Sequence, residues 1–202
     1  MSDPTPAAAE DTEIGSYFVA NYPPFSVWTT DGVESSAVPA LASKPAASET
    51  PLGLYLHIPF CRKRCHFCYF RVYTDKNASE VQAYLDVLGR EWELYAEQPA
   101  IAGRPLNFVY FGGGTPSFLS VRQLEGLVTR LTKITPWSTA EEVTFECEPG
   151  TLTEPKLAAI RGMGVTRLSL GVENFDDTIL EVNGRAHRSA EIFRAYDYAR
   201  SI

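Results

Sequence analysis

From residue 50 onward, short apolar runs rich in β-formers alternate with stretches of helical period. Leu52–Ile58, Leu106–Phe111, Glu142–Cys147 and Thr166–Val172 read as strands, each short and alternating in polarity. Between them, Val81, Tyr84, Leu85, Leu88, Trp92 and Tyr95 form one helical stripe, opened by Asn77 with Glu80 three residues on, a capping-box signal. Leu124, Leu127, Val128, Leu131 and Ile134 form a second stripe with Ser120 as its N-cap. A third helix begins at Thr153 and ends at Gly162 and Gly164, and two more cover Asp176–Val182 and Ser189–Arg200. Strands alternating with helices make βα units and a parallel sheet.

Residues 1–50 differ in kind. They are rich in Ala, Pro, Ser and Thr and carry little amphipathic periodicity, so they read as a flexible segment ahead of a domain at 51–202. Tyr17, Phe18, Tyr22, Phe25 and Trp28 give that segment an aromatic stretch suited to lying on the domain surface or to docking. Four strands are too few for a closed barrel of eight, and the sequence stops inside a helical pattern at Ile202. The expected fold is therefore α/β, a partial (β/α) barrel truncated after about four strands. An open four-stranded sheet is the structural alternative.

Composition narrows the function. At 202 residues and 45% hydrophobic, the chain can bury a sizeable core. A formal net charge of −7 argues against nonspecific nucleic-acid binding. The first basic residue is Lys44, so no charged leader of the secretory type is expected, and no apolar run approaches the ~20 residues of a membrane helix. Closely spaced thiols suit a reducing cytoplasm.

Those thiols carry the main chemical signal. Cys61, Cys65 and Cys68 follow the first strand in a Cys-x-x-x-Cys-x-x-Cys pattern. Three thiolates can hold three irons of a 4Fe–4S cluster and leave the fourth open. The triplet alone fits structural zinc as well, with His57 or His66 as a fourth ligand.

Parallel βα folds gather their sites at the carboxyl ends of the strands. The first strand places Tyr55 and His57 opposite Leu54, Leu56 and Ile58. The second ends in Gly112-Gly113-Gly114-Thr115-Pro116, either a tight turn or a place where backbone N–H groups meet a ligand. The third carries Thr144, Glu146 and Glu148 on a polar face, which puts Cys147 toward the helices as an ordinary buried cysteine. The fourth brings Glu173 to the same end as Glu146, a pair suited to acid–base work or to gripping an amine or ribose. Arg185, His187 and Arg188 read, by themselves, as a solvated helix entrance. Arg62-Lys63-Arg64 reads as a solvated loop tip, or as a patch attracting an acidic partner.

Together, Tyr55-Leu-His57-Ile-Pro59-Phe60-Cys61, the cysteine triplet, Phe111-Gly-Gly-Gly-Thr115-Pro116, Glu146-Cys-Glu-Pro149 and Arg167-Leu-Ser-Leu-Gly171-Val-Glu173 resemble the radical S-adenosylmethionine (SAM) enzymes. The nearest group is the oxygen-independent coproporphyrinogen III oxidase-like family, with its haem-chaperone and methyltransferase or cyclopropanase relatives. The resemblance implies a barrel of the radical SAM type and a 4Fe–4S cluster on Cys61, Cys65 and Cys68. It also implies SAM on the open iron, cleaved reductively to a 5′-deoxyadenosyl radical. By position, Tyr55, Phe67, Gly113 and Glu146 match contacts to that SAM, and Gly114, Thr115, Glu173 and Arg185 match contacts to a second. The implied partners are a porphyrinogen or other small substrate and a flavodoxin-like electron donor, with neither nucleic acid nor membrane. Two departures point to a relative of the oxidase. Glu173 stands where the family usually has glutamine, an acceptor-only group for one that also donates. Phe70 stands where the oxidases carry an extra cysteine.

Overall fold

The computed structural model describes residues 27–45, 50–68 and 70–202. Four parallel strands, β1 (Gly53–Ile58), β2 (Phe108–Gly113), β3 (Glu142–Cys147) and β4 (Arg167–Leu170), form one sheet in the order β1-β2-β3-β4. Sequential order with parallel pairing requires a crossover between each pair of strands. These crossovers contain α2 (Ala78–Ala96), α3 (Val121–Ile134) and α4 (Glu154–Gly162). Two further helices, α5 (Asp177–Val182) and α6 (Ser189–Ser201), follow β4. The fold is thus an open α/β sheet corresponding to four βα units of a barrel.

Strand alternation decides which face is covered. Leu56, Ile58, Val109, Phe111, Val143 and Phe145 are buried on the helical side. They pack with Val81, Leu85 and Trp92 of α2, Leu124, Leu127, Val128 and Leu131 of α3, and Leu157 and Ile160 of α4. Phe111 lies 5.1 Å from Phe145, centroid to centroid, and meets Trp137 edge-on at 6.1 Å. Such aromatic geometry adds to the burial of apolar area. The other face carries Tyr55, His57, Tyr110, Glu146 and Ser169, all at least partly exposed.

The helix starts follow the capping signals. Asn77 accepts from the Ser79 and Glu80 amides while Glu80 bonds back to the Asn77 N–H, and Ser120 and Gln123 repeat the box at α3. Thr153 and Asp176 cap α4 and α5. Because Leu124 is fully buried in the centre of the core, Leu124→Ala is expected to lower unfolding stability by about 2–5 kcal/mol. Urea unfolding checks that value.

Three boundaries differ from the sequence reading. The β2 ladder starts at Phe108, not Leu106, and runs through Gly112 and Gly113, which pair with His57 and Ile58. β4 is shorter than Thr166–Val172, because the chain turns where the Val172 N–H bonds Leu170 O, and Glu173 takes a left-handed φ of 61°. A helix, α1 (Thr30–Ala42), lies within the segment expected to lack one. None of its residues is buried, and Leu41 O accepts from the Ala100 N–H after α2. Of the aromatic residues in that segment, Trp28 is exposed and the others lie outside the described residues.

Candidate cofactor site at the strand ends

β1 leads directly into the cysteine loop. Pro59 and Cys61 form backbone bonds with Tyr73, at 2.8 and 3.0 Å, which close the base of the loop. Cys61, Cys65 and Cys68 are free thiols. They line a cavity of about 420 Å³ with Phe67, Gly113, Gly114, Thr115, Glu146, Glu173 and Arg185. Ten of the eleven residues singled out from the sequence therefore meet in one place. The exception is Tyr55, which lies in a neighbouring depression with Phe108, Tyr110 and Glu146 and bonds His57 Nδ1 through its hydroxyl at 3.1 Å.

The glycine run is built for close approach. Gly113 has a φ of +111°, in the region that favours glycine. A Cβ on Gly114 would lie 3.0 Å from both Cys61 Sγ and Phe60 O, so any side chain there would press on the thiol. Thr115 Oγ1 donates to Cys61 Sγ at 3.2 Å. Burial pushes the Cys61 thiol up, and the Thr115 hydrogen bond works against that rise.

Glu146 is held from two sides. The Tyr110 hydroxyl donates to Oε1 at 2.6 Å and the Gly113 N–H to Oε2 at 3.2 Å. The hydrogen bond to this carboxylate, with burial, pushes the Tyr110 phenol up to about 12. Tyr110 was absent from the sequence reading, although its place in β2 opposite Thr144, two residues before Glu146, follows from the register.

His187 is buried and the Arg185 side chain is largely covered, which corrects their reading as a solvated helix entrance. Arg185 donates from Nη2 to Gly171 O at 2.6 Å and from Nη1 to Cys65 Sγ at 3.1 Å, and stands 3.8 Å from Glu173. Its Nε is buried without a hydrogen-bond partner among the described residues. His187 is fully buried against Glu148 and Val172 O. Arg62 is likewise more than a loop tip, since it forks onto Glu148. Arg64 bonds Cys68 O, and Lys63 remains exposed.

Burial raises the Glu148 carboxyl, but His187, the Arg62 guanidinium and the Gly150 N–H overcome it and hold the carboxyl below its ordinary range. A depressed carboxyl contributes stability above its unfolded pKa of ~4.3, lost as pH falls through the lower folded value. Urea midpoints measured from pH 7 to pH 3 should therefore fall less steeply for Glu148→Gln than for the parent chain.

Cys147 also borders the cavity, at the end of β3. Its thiol is buried and bonds Phe145 O, with burial pushing it well up. The three loop thiols line the cavity wall rather than surround one point. Among the described residues, no three His, Cys, Asp or Glu side chains are grouped as ligands of a single metal ion. Three free thiols, a side-chain-free glycine against one of them and an unsatisfied buried guanidinium nitrogen fit a group larger than one ion.

Residues 55–202 match the radical SAM superfamily, and the chain belongs to it. Membership implies a 4Fe–4S cluster and SAM as cofactors. Within the superfamily, the chain is similar to heme chaperones and to oxygen-independent coproporphyrinogen III oxidases. It is 37% identical over 150 residues to the heme chaperone HemW of Bacillus subtilis, covering 73% of this chain and 38% of that protein. It is 32% identical over 182 residues to the oxygen-independent coproporphyrinogen III oxidase of Salmonella typhimurium, covering 90% and 39%. The fold superposes on coproporphyrinogen III oxidase (HemN) from Escherichia coli with a TM-score of 0.80 and 31% identity, over 92% of this chain and 41% of that one. The chain thus spans about two fifths of the length of these relatives. Among the described residues no helix is long and apolar enough to cross a membrane.

Proposed function

We propose that this chain carries the cofactor-binding part of a radical SAM protein that cleaves SAM reductively, in the manner of the oxygen-independent coproporphyrinogen III oxidase-like family. The observation that carries this reading is the meeting of the three loop thiols with Gly113, Gly114, Glu146 and Arg185 around one cavity. Cys61, Cys65 and Cys68 would hold the cluster, and the Glu146 carboxylate, oriented by Tyr110 and Gly113, would bind SAM. Phe67 supplies an apolar wall, and Tyr55 borders the site from β1. When bound, the cluster supplies the electron that breaks the SAM sulfonium bond. The protein's part is to bind, orient and exclude water.

Thr115 and Arg185 reach Cys61 and Cys65 Sγ. Donors to sulfur shift the potential of an iron–sulfur centre, a role beside that of contacting a second SAM with Gly114 and Glu173. The Arg185–Glu173 pairing draws the guanidinium toward a carboxylate already present, which weakens its claim on another. Exposed Lys63 beside the cavity suits an acidic, flavodoxin-like electron donor. Residues 51–202 form the core of this reading, and residues 1–50 a separate preceding segment.

The HemW likeness supports a second reading, a haem-binding protein that retains the cluster. One experiment separates them. Anaerobically reconstituted chain, broadly absorbing near ~400 nm as thiolate-ligated clusters do, is incubated with dithionite and SAM. Release of 5′-deoxyadenosine and methionine is expected. Haem binding without SAM cleavage supports the chaperone reading and overturns the enzymatic one.

A further inference from the structure

We propose that Arg62, Glu148 and His187 form a charge-compensated latch that ties the cysteine loop to the β4–α6 segment and sets the electrostatic field at a cluster held there. The proposal rests on the cluster reading of Cys61, Cys65 and Cys68.

Two distant stretches of chain and the neighbouring Gly150 N–H converge on one carboxylate. Arg62, next to Cys61, donates from Nε to Glu148 Oε2 at 3.1 Å and from Nη2 to Oε1 at 3.2 Å, and the same Nη2 bonds Ala186 O at 3.0 Å. From α6's approach, His187 Nδ1 donates to Glu148 Oε1 at 3.0 Å while Nε2 stands 3.3 Å from Val172 O beyond β4. The Glu148 N–H bonds Ser117 Oγ, and the Gly150 N–H bonds Oε1. Gly150 is part of the fit, because a Cβ there would overlap the Arg62 guanidinium. The far side of the loop is tied to the same segment: His66 donates from its backbone N–H to Asn183 O at 3.0 Å, and its Nδ1 lies 2.8 Å from Val182 O.

Arg62 and Glu148 both line the cavity that holds the three thiols. Glu148 is held ionised by its partners despite burial. Reduction adds negative charge to an iron–sulfur cluster, so a neighbouring cation favours it and a neighbouring anion opposes it. Partial burial strengthens both effects. Intact, the pair nearly cancels. Broken on one side, it leaves a single charge beside the cluster, and the sign depends on which partner was removed. A clip that acted through shape alone would shift both single variants in the same sense.

The test is the midpoint potential of the full chain, reconstituted anaerobically and titrated reductively, with iron content measured alongside. Arg62→Gln is expected to lower the potential and Glu148→Gln to raise it. The double variant should shift less than either. Singles that shift in the same sense, or neither shifting, would overturn the latch while leaving the cluster reading intact. Where Glu148→Gln does not fold, Arg62→Lys and Arg62→Gln decide. A parent-like potential for lysine with a lowered one for glutamine supports the proposal, and an unshifted Arg62→Gln refutes it. Failure of the parent chain to take up any cluster would refute the cluster reading itself.

Discussion

Replacing any one of Cys61, Cys65 or Cys68 by alanine is expected to abolish the iron–sulfur chromophore after anaerobic reconstitution, whereas Cys147→Ala retains it. A cluster with three protein ligands has no spare thiolate in the loop, and loss of one leaves two irons without a protein ligand. Cys147 cannot substitute. Its thiol is buried, bonded to Phe145 O and pushed away from ionisation by burial. A thiol in that setting is a small hydrophobe rather than a ligand. Iron and sulfide analysis of the four variants checks the result. Cluster loss in Cys147→Ala would show that this side chain serves the site after all.

The next largest effect is expected at Glu146. Two donors, Tyr110 and the Gly113 N–H, aim its carboxylate along the cavity wall. Glu146→Gln keeps the shape and removes the charge that an amino group seeks. A charge-assisted hydrogen bond contributes ~1.5–3 kcal/mol, so SAM affinity should fall about 10- to 100-fold. Iron content should stay at the parent level, because Glu146 ligates no iron in this reading. Tyr110→Phe removes one neutral donor and should cost about 0.5–1.5 kcal/mol of the same affinity. Calorimetry of SAM binding to reconstituted protein measures both. Unchanged affinity in Glu146→Gln removes that residue from the site.

The sequence was legible where local pattern and tertiary setting agree. β3 was placed to the residue because alternation, helix flanks and burial coincide at Glu142–Cys147. The capping box at Asn77 and the N-cap at Ser120 fixed two helix starts, since a cap is a local interaction between residues two or three apart. β2 was displaced because glycine reads as a turn, yet Gly112 and Gly113 keep the ladder with β1. α1 escaped notice because none of its residues is buried and Pro39 lies inside it, so it leaves no apolar stripe.

At the site, the cysteine spacing was enough to find the loop, and strand polarity was enough to bring Glu146 to the cavity, whereas Glu173 reaches it from a turn beyond β4. Long-range polar pairing was not visible. Arg62 and Glu148 stand 86 positions apart, and Glu148 and His187 stand 39 apart. A one-letter pattern marks such residues as polar and says nothing of who neutralises whom. That is why Arg185 and His187 read as solvated, whereas His187 is buried and the Arg185 side chain is largely covered.

The most direct test of the central claim is electron paramagnetic resonance of the reconstituted chain, reduced anaerobically and recorded without and with SAM. A cluster with one iron open to ligands should give a reduced-state signal that changes when SAM is added, since the new ligand alters the electronic environment of that iron. A chain that instead carries stoichiometric zinc, or a signal indifferent to SAM, would contradict the account.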